Sequence, residues 1–165
     1  MLTESMEDYL EMIYRMVQER GSLRVVELAE ALDVQPSSIT RMIQKIDEAG
    51  LVRYEKYRNI VLTKRGEEIG RFLVWRDKML KDFLRALGTV HGLDVDGQVE
   101  GIEHYITPAT MCLIRNLVDY FRNNPQRALE LKAMAEGGEN DPAKYPDGVE
   151  LAELRAWSYR HARDD

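Results

Sequence analysis

The chain has 165 residues, 44% apolar and 32% charged, which suits one globular domain or two small ones sharing a helix. No apolar run approaches the ~20 residues of a membrane span, the acidic opening MLTESMEDYLEM predicts no secretory leader, and the single cysteine, Cys112, points to a reducing cytoplasm without disulfides. A net charge of −6 argues against broad wrapping on nucleic acid, yet Ser22 to Arg71 holds nine Lys/Arg against eight Asp/Glu, a local excess inside an acidic chain.

Residues 5 to 20 carry Met6, Leu10, Ile13 and Val17 at helical spacing, one apolar face of a first helix. After Gly21, LRVVELAEALDV predicts a short second helix with Leu28, Ala29 and Leu32 inward. A third follows in QPSSITRMIQKIDEAGLV, with Pro36 in its first turn, Gly50 closing it, and Ile39, Met42, Ile43 and Ile46 as its buried stripe. The period then changes. Val52 and Tyr54 on one arm and Ile60 and Leu62 on the other, with KYRN between, predict a β-hairpin, and Thr63 can cap the next helix. Three helices and a hairpin in some sixty residues make a winged helix-turn-helix.

A long helix is predicted from about Lys64 to Ala86, with Leu73, Leu80, Leu84 and Leu87 as its seam. The seam has a member at 77, and that residue is Asp. A carboxylate there costs several kcal/mol unless it is coordinated, or paired with Arg76 or Lys81. The next helix begins near Asp94 with Val95, Val99, Ile102 and Ile106 inward, and another opens at Thr107-Pro108 with Met111, Ile114, Val118 and Phe121. These are too few to form a core alone, so they are expected to pack on the long helix and on a second subunit. Beyond Asn124 the pattern weakens: EGGENDPAKYPDG reads as a linker, and the last seventeen residues as one marginal helix. The fold class is therefore mainly α, a winged-helix domain over 1–71 followed by an all-α domain over 72–123, with a tail over 124–165.

Two surfaces carry chemistry. From Val34 to Ile46 there is no acidic residue, and the outward positions of the third helix are Ser37, Ser38, Thr40, Arg41, Gln44 and Lys45. Small hydroxyls beside Pro36 let backbone approach phosphates, Arg41 and Gln44 can reach base edges, and Lys56, Tyr57 and Arg58 at the wing tip suit phosphate or minor-groove contact. The arrangement predicts binding to double-stranded DNA, although winged helices that bind only protein share the same order. The second surface is Glu100, Glu103 and His104, at i, i+3 and i+4 on one helical face. All three are metal-ligand types, and the trio also fits an ordinary solvated helix. His91 and His161 read as loop and tail residues, and no phosphate loop, nucleophile elbow or paired cysteine occurs.

Together SMEDYLEMIY, PSSITRMIQKIDEAGLV, YEKYRNIVLTKRGEEIG and VEGIEH resemble the diphtheria toxin repressor family of metal-activated repressors, in particular its short manganese branch, from about Ser5 to Phe121. The resemblance implies a homodimer that binds operator DNA when Mn2+ is bound and represses metal-uptake genes, with one or two ions per subunit and no organic cofactor or membrane. Carried over by position, it places metal ligands on Asp8, Glu11, Asp77, Glu100, Glu103 and His104. The iron-responsive branch usually has Met where this chain has Asp8, and Cys where it has Glu100. The manganese branch has His where this chain has Asp77, a departure that keeps an oxygen donor and leaves Fe2+ possible.

The expected mechanism is a clamp: six ligand residues on three helices, bridged by metal across the DNA-binding and dimerisation parts, setting the spacing of two recognition helices. The rival readings are an iron-responsive or metal-independent winged-helix regulator and a di-metal carboxylate enzyme. The enzyme needs a Glu-x-x-His pair from each of two helices, and this chain offers one such cluster.

Overall fold

The computed structural model describes residues 2–54, 59–88 and 94–136. Its elements are α1 (Glu4–Arg20), α2 (Val25–Ala31), α3 (Pro36–Glu48), β1 (Val52–Tyr54), β2 (Ile60–Leu62), α4 (Lys64–Leu87), α5 (Val95–Ile102), a 3-10 turn (Glu103–Tyr105), α6 (Pro108–Asn123) and α7 (Pro125–Glu136). The chain divides into two compact units. The first takes in the described residues of 1–80 and 99–107, and the second those of 81–98 and 108–165.

In the first unit α1 starts at Thr3, whose hydroxyl accepts the Met6 N–H, and ends at Gly21 in the left-handed region. Met6, Leu10, Ile13 and Met16 are its buried side chains. Met16 thus takes the place predicted for Val17, which is half-buried. Leu28 and Ala29 of α2 and Ile39, Ile43 and Ile46 of α3 meet that face in one core, each large aliphatic side chain contributing roughly 1.5–3 kcal/mol by leaving water. Leu32 and Met42, expected inward, pack at its margin. Asp33 at φ 53 turns the chain between α2 and α3, a backbone region that Asp enters more readily than most residues.

β1 and β2 pair antiparallel in the register Val52↔Leu62, Arg53↔Val61, Tyr54↔Ile60. A bridge from Leu23 to Ile60 ties this wing to the segment before α2. Thr63 caps α4 by accepting the Gly66 N–H at 3.0 Å while its hydroxyl donates to the Gly50 carbonyl at 2.7 Å.

The start of α4 is pressed against its neighbours. A Cβ at Gly66 would stand 1.8 Å from the Leu51 carbonyl oxygen, and one at Gly70 would stand 2.7 Å from the Tyr14 Cβ. Only hydrogen fits there. Farther along, the buried positions are Leu73, Arg76, Met79 and Leu80, whereas Leu84 is half-buried and Leu87 largely exposed. The apolar seam is therefore shorter than predicted and contains an arginine.

α5 is brief. Asp94 caps it by accepting the Gly97 N–H, and Val99 is its buried residue. Ile102, predicted inward, is 38% exposed because the helix stops there and tightens into the 3-10 turn. Val95 and Ile106 are half-buried.

In the second unit, Arg122 of α6 bonds Asp82 at 2.6 Å and Lys81 pairs with Asp96 at 2.8 Å. Met111 and Val118 are buried, and Ile114 and Phe121 partly so. A second row on α6 (Leu113, Leu117 and Tyr120) is exposed. Past Asn124 the chain forms a regular helix where the sequence pattern weakens. Asn124 closes α6 through Nδ2 to the Tyr120 carbonyl, and its own carbonyl accepts from Arg127 and Ala128 at the start of α7. Leu129 and Met134 of α7 are exposed, so it has no clean amphipathic stripe to read. Among the described residues no helix is long and apolar enough to cross a membrane. The wing tip, His91, His161, the linker and the expected last helix lie outside the described residues.

Gly66→Ala is expected to destabilise the first unit by about 1–3 kcal/mol, because the Leu51 carbonyl is backbone and cannot swing aside. Urea denaturation followed by circular dichroism measures it, with the exposed Gly101, where an added Cβ meets nothing within 4 Å, as the control position.

Candidate metal centre and nucleic-acid surface

One face of α1 carries Glu7, Asp8, Glu11 and Arg15. It meets Arg76 and Asp77 from α4 and Glu100, Glu103 and His104 from the end of α5 and the following turn. Glu100 is in the last turn of α5, while Glu103 and His104 belong to the 3-10 turn. The three are thus not one α-helical face, and the tighter turn carries Glu103 inward to 4% exposure.

Asp8, Glu100 and His104 converge. Each offers one ligand atom, and these atoms lie within 4.8 Å of one another. His104 Nε2 is 3.1 Å from Asp8 Oδ1, and its Nδ1 is 2.9 Å from Glu7 Oε2. Glu7 accepting from Nδ1–H leaves Nε2 as the nitrogen aimed at Asp8, the carboxylate–histidine arrangement that fixes a ligating ring. Burial alone would lower the His104 pKa, but the Glu7 hydrogen bond and the charges of Asp8 and Glu103 carry it above the ordinary histidine value. Burial, reinforced by Glu100, Glu11 and Glu7 and opposed by His104, raises Asp8.

Arg76, 4% exposed, lies behind this cluster. Its Nη1 donates to Glu7 at 2.8 Å, and its Nε stands 3.6 Å from Glu103 Oε2, too far for a hydrogen bond. Among the described residues, Arg76 Nε and Glu103 Oε2 are the buried side-chain polar atoms without a hydrogen-bond partner. Burial pushes the Glu103 carboxyl up to about 7 despite the nearby Arg76, with Glu11 and Asp77 adding to the rise. A buried carboxylate oxygen with no hydrogen bond, beside two further carboxylates and one imidazole, is a donor set that fits a hard or borderline divalent cation.

The other two expected ligands are engaged differently. Arg15 donates from Nε and Nη2 to Glu11 Oε1 at 2.9 and 2.6 Å, and from Nη2 to Asp77 Oδ2 at 2.8 Å. Asp77 therefore has a partner on α1 that its position in the helical seam did not suggest, and Arg76 turns to Glu7 instead. Glu7 and Arg15 were not singled out from sequence, and Arg76 was named only as a partner for Asp77. The i, i+4 spacing of Glu7 to Glu11 and Glu11 to Arg15 was the available signal, and it is also that of a solvated face.

On α3, Pro36, Ser37, Ser38, Arg41, Gln44 and Lys45 are exposed. No acidic residue lies in the first turn. Thr40 is half-buried, and its hydroxyl donates back to the Pro36 carbonyl at 2.9 Å. Lys56, Tyr57 and Arg58 fall outside the described residues.

Residues 1–60 match the family model for the N-terminal DNA-binding domain of iron-dependent repressors, and residues 63–131 match that for their metal-binding and dimerisation domain. The chain is 46% identical over 140 residues to the HTH-type transcriptional regulator MntR of Bacillus velezensis, covering 85% of this chain and 98% of that protein. It is also 46% identical over 134 residues to MntR of Bacillus subtilis, covering 81% and 94%. A solved structure described as a manganese-dependent transcriptional repressor complex with manganese superposes with a TM-score of 0.58 at 27% identity, over 70% of this chain and 53% of that one. This chain thus matches about half the length of that solved structure and nearly all of the two Bacillus regulators.

Protons would compete with a cation at this site. Glu103 and His104 both have raised pKa values, so their protonated forms stabilise the metal-free fold at low pH, and that contribution is lost as pH rises through the folded values. Divalent-cation affinity is therefore expected to strengthen as pH rises through about 7, with proton release on binding. Calorimetry in buffers of different ionisation heat counts those protons. Affinity independent of pH over that interval contradicts the assignment, and Glu103→Gln is expected to lower the number of protons released on binding.

Proposed function

The chain belongs to the iron-dependent repressor family of metal-dependent, DNA-binding regulators, and on that footing we propose that it is a cytoplasmic homodimer that binds double-stranded operator DNA in response to Mn2+ and represses metal-uptake genes. The observation that carries this reading is the convergence of Asp8, Glu100 and His104 beside the buried Glu103 oxygen that has no hydrogen bond. We assign DNA reading to a domain over 1–71 and dimerisation and metal binding to residues 72–123 with help from α1, followed by a tail over 124–165.

Asp8, Glu100, Glu103 and His104 would hold the cation, and oxygen donors with a single imidazole suit Mn2+ while leaving Fe2+ a competitor. When bound, the cation supplies the positive charge that lets these carboxylates stay ionised together. Without it, each close pair of like charges costs on the order of 1–4 kcal/mol. Glu7 holds the His104 ring by Nδ1, and Arg76 holds Glu7. These contacts aim the Nε2 lone pair and limit the motion of residues 99–107 against α1. α1 shares its core with α3, so fastening 99–107 to α1 restricts the arrangements open to the reading helix. A dimer reads two half-sites when its recognition helices lie about 34 Å apart. The ligand needs only a higher affinity for the arrangement that meets this spacing.

On α3 the reading is carried by Arg41 and Gln44 at base edges, with Pro36, Ser37, Ser38, Thr40 and Lys45 near the phosphates, and with Lys56, Tyr57 and Arg58 of the wing beside them. Fluorescence anisotropy with DNA upstream of metal-transport genes tests both parts. Saturating Mn2+ is expected to tighten binding at least about tenfold over chelated protein, and equal dissociation constants would end the metal-gated reading. Arg41→Ala is expected to cost about 1–3 kcal/mol and relax base preference at one position, whereas Lys45→Ala should weaken all sequences alike and reduce the salt dependence. Repeating the titration with Fe2+, Co2+ and Zn2+ ranks the metals.

A further inference from the structure

We infer that Arg15 is a built-in cation that fills the seat a second metal ion would take, so that each subunit answers to one divalent ion. The inference rests on reading Asp8, Glu100, Glu103 and His104 as a metal site. Its own observation is separate: the Arg15 guanidinium stands between Glu11 and Asp77, 2.6 Å from one carboxylate and 2.8 Å from the other through the same Nη2, with Nε adding a bond to Glu11.

Glu11 and Asp77 are well shielded, with side chains 15% and 13% exposed, while Arg15 is 39% exposed. A metal coordinating this pair through Glu11 Oε1 and Asp77 Oδ2 would need lone pairs that now receive N–H groups. It would also have to stand within a few ångströms of a guanidinium that stays charged at every physiological pH. A like charge held that close excludes a divalent ion unless the arginine swings away, and swinging away gives up three charge-assisted hydrogen bonds to two shielded carboxylates. Charge requires a cation at this place, and the chain supplies it covalently.

The two seats then do different work. Arg15 joins α1 to α4 whether or not metal is present, because Asp77 lies on α4 and Glu11 on α1. The junction of α1 with residues 99–107 is the one a soluble ion can make or break. The neighbouring charges bear on each other, since Glu11 and Asp77 both act on Glu103, so removing the guanidinium should be felt across both seats.

The test uses the full chain stripped of metal and titrated with Mn2+, the free aqua ion being followed by electron paramagnetic resonance. Wild type is expected to take up one Mn2+ per subunit. Arg15→Ala is expected to take up two, and Arg15→Lys, which keeps the charge, to remain at one. In chelator, Arg15→Ala is expected to melt about 2–4 °C below wild type, as two carboxylates lose their shared partner. Arg15→Leu, which keeps an apolar stem beside the helix, serves if the alanine variant folds poorly, and it too should bind two. Two ions in wild type, or one in both Arg15→Ala and Arg15→Leu, overturns the inference while leaving the metal-site reading intact. No Mn2+ taken up by wild type overturns the metal-site reading and this inference with it.

Discussion

Carboxylates crowded on one side of α1 must find positive charge, and much of the first unit is arranged around how they do so. Glu7, Asp8 and Glu11 leave α1 within little more than a turn, and Asp77, Glu100 and Glu103 arrive from α4 and from the end of α5. Two arginines meet part of this demand: Arg76 takes Glu7 and stands near Glu103, and Arg15 takes Glu11 and Asp77. His104 contributes a third, conditional positive charge held between Glu7 and Asp8. What remains unmet is concentrated at Asp8, Glu100 and Glu103, the place where an added cation gains most. In the proposed reading, separating permanent from exchangeable neutralisation turns a cluster of like charges into a sensor.

For such a sensor to matter to DNA, α1 must be stiffly joined to the reading helix. The structure provides that joint through packing rather than charge. Leu10 and Ile13 of α1 share a core with Ile39, Ile43 and Ile46 of α3, and all five are fully buried. Gly70 lets α4 lie against Tyr14, and Gly66 lets its first turn touch the Leu51 backbone. Interiors packed this closely pass on displacement instead of absorbing it. Whatever fixes α1 is thereby felt at α3, and through Leu51 and Thr63 at the base of the wing.

Much of this could be read from the chain alone, and the reasons differ by residue. The winged helix was legible because helical and alternating periods are intrinsic to the sequence, and Thr63, Gly21 and Gly50 mark its boundaries by their own chemistry. Glu100, Glu103 and His104 stood out by residue type. The division of labour among carboxylates was not legible, since it depends on which guanidinium reaches which oxygen across 62 or 69 residues of chain. Arg76 sits at an inward helical position that periodicity assigns to apolar side chains, so a buried arginine was not anticipated there. The stop at Ile102 was missed because nothing in GIEHY breaks a helix. The 3-10 turn carries Glu103 into the interior beside Arg76, a tertiary constraint that no local pattern encodes. α7 escaped for the opposite reason: it is helical without a buried face, so it leaves no periodic trace.

The exposed row of Leu113, Leu117 and Tyr120 on α6 lies in a segment whose family model describes dimerisation. An apolar surface that is covered only by association links folding to abundance, because each pairing event withdraws protomers from the unfolded pool by mass action. A cell that makes few copies would hold a weaker and less paired reader than one that makes many. Regulation by such a protein therefore has a second dial besides ion concentration: the rate at which the cell synthesises the regulator itself.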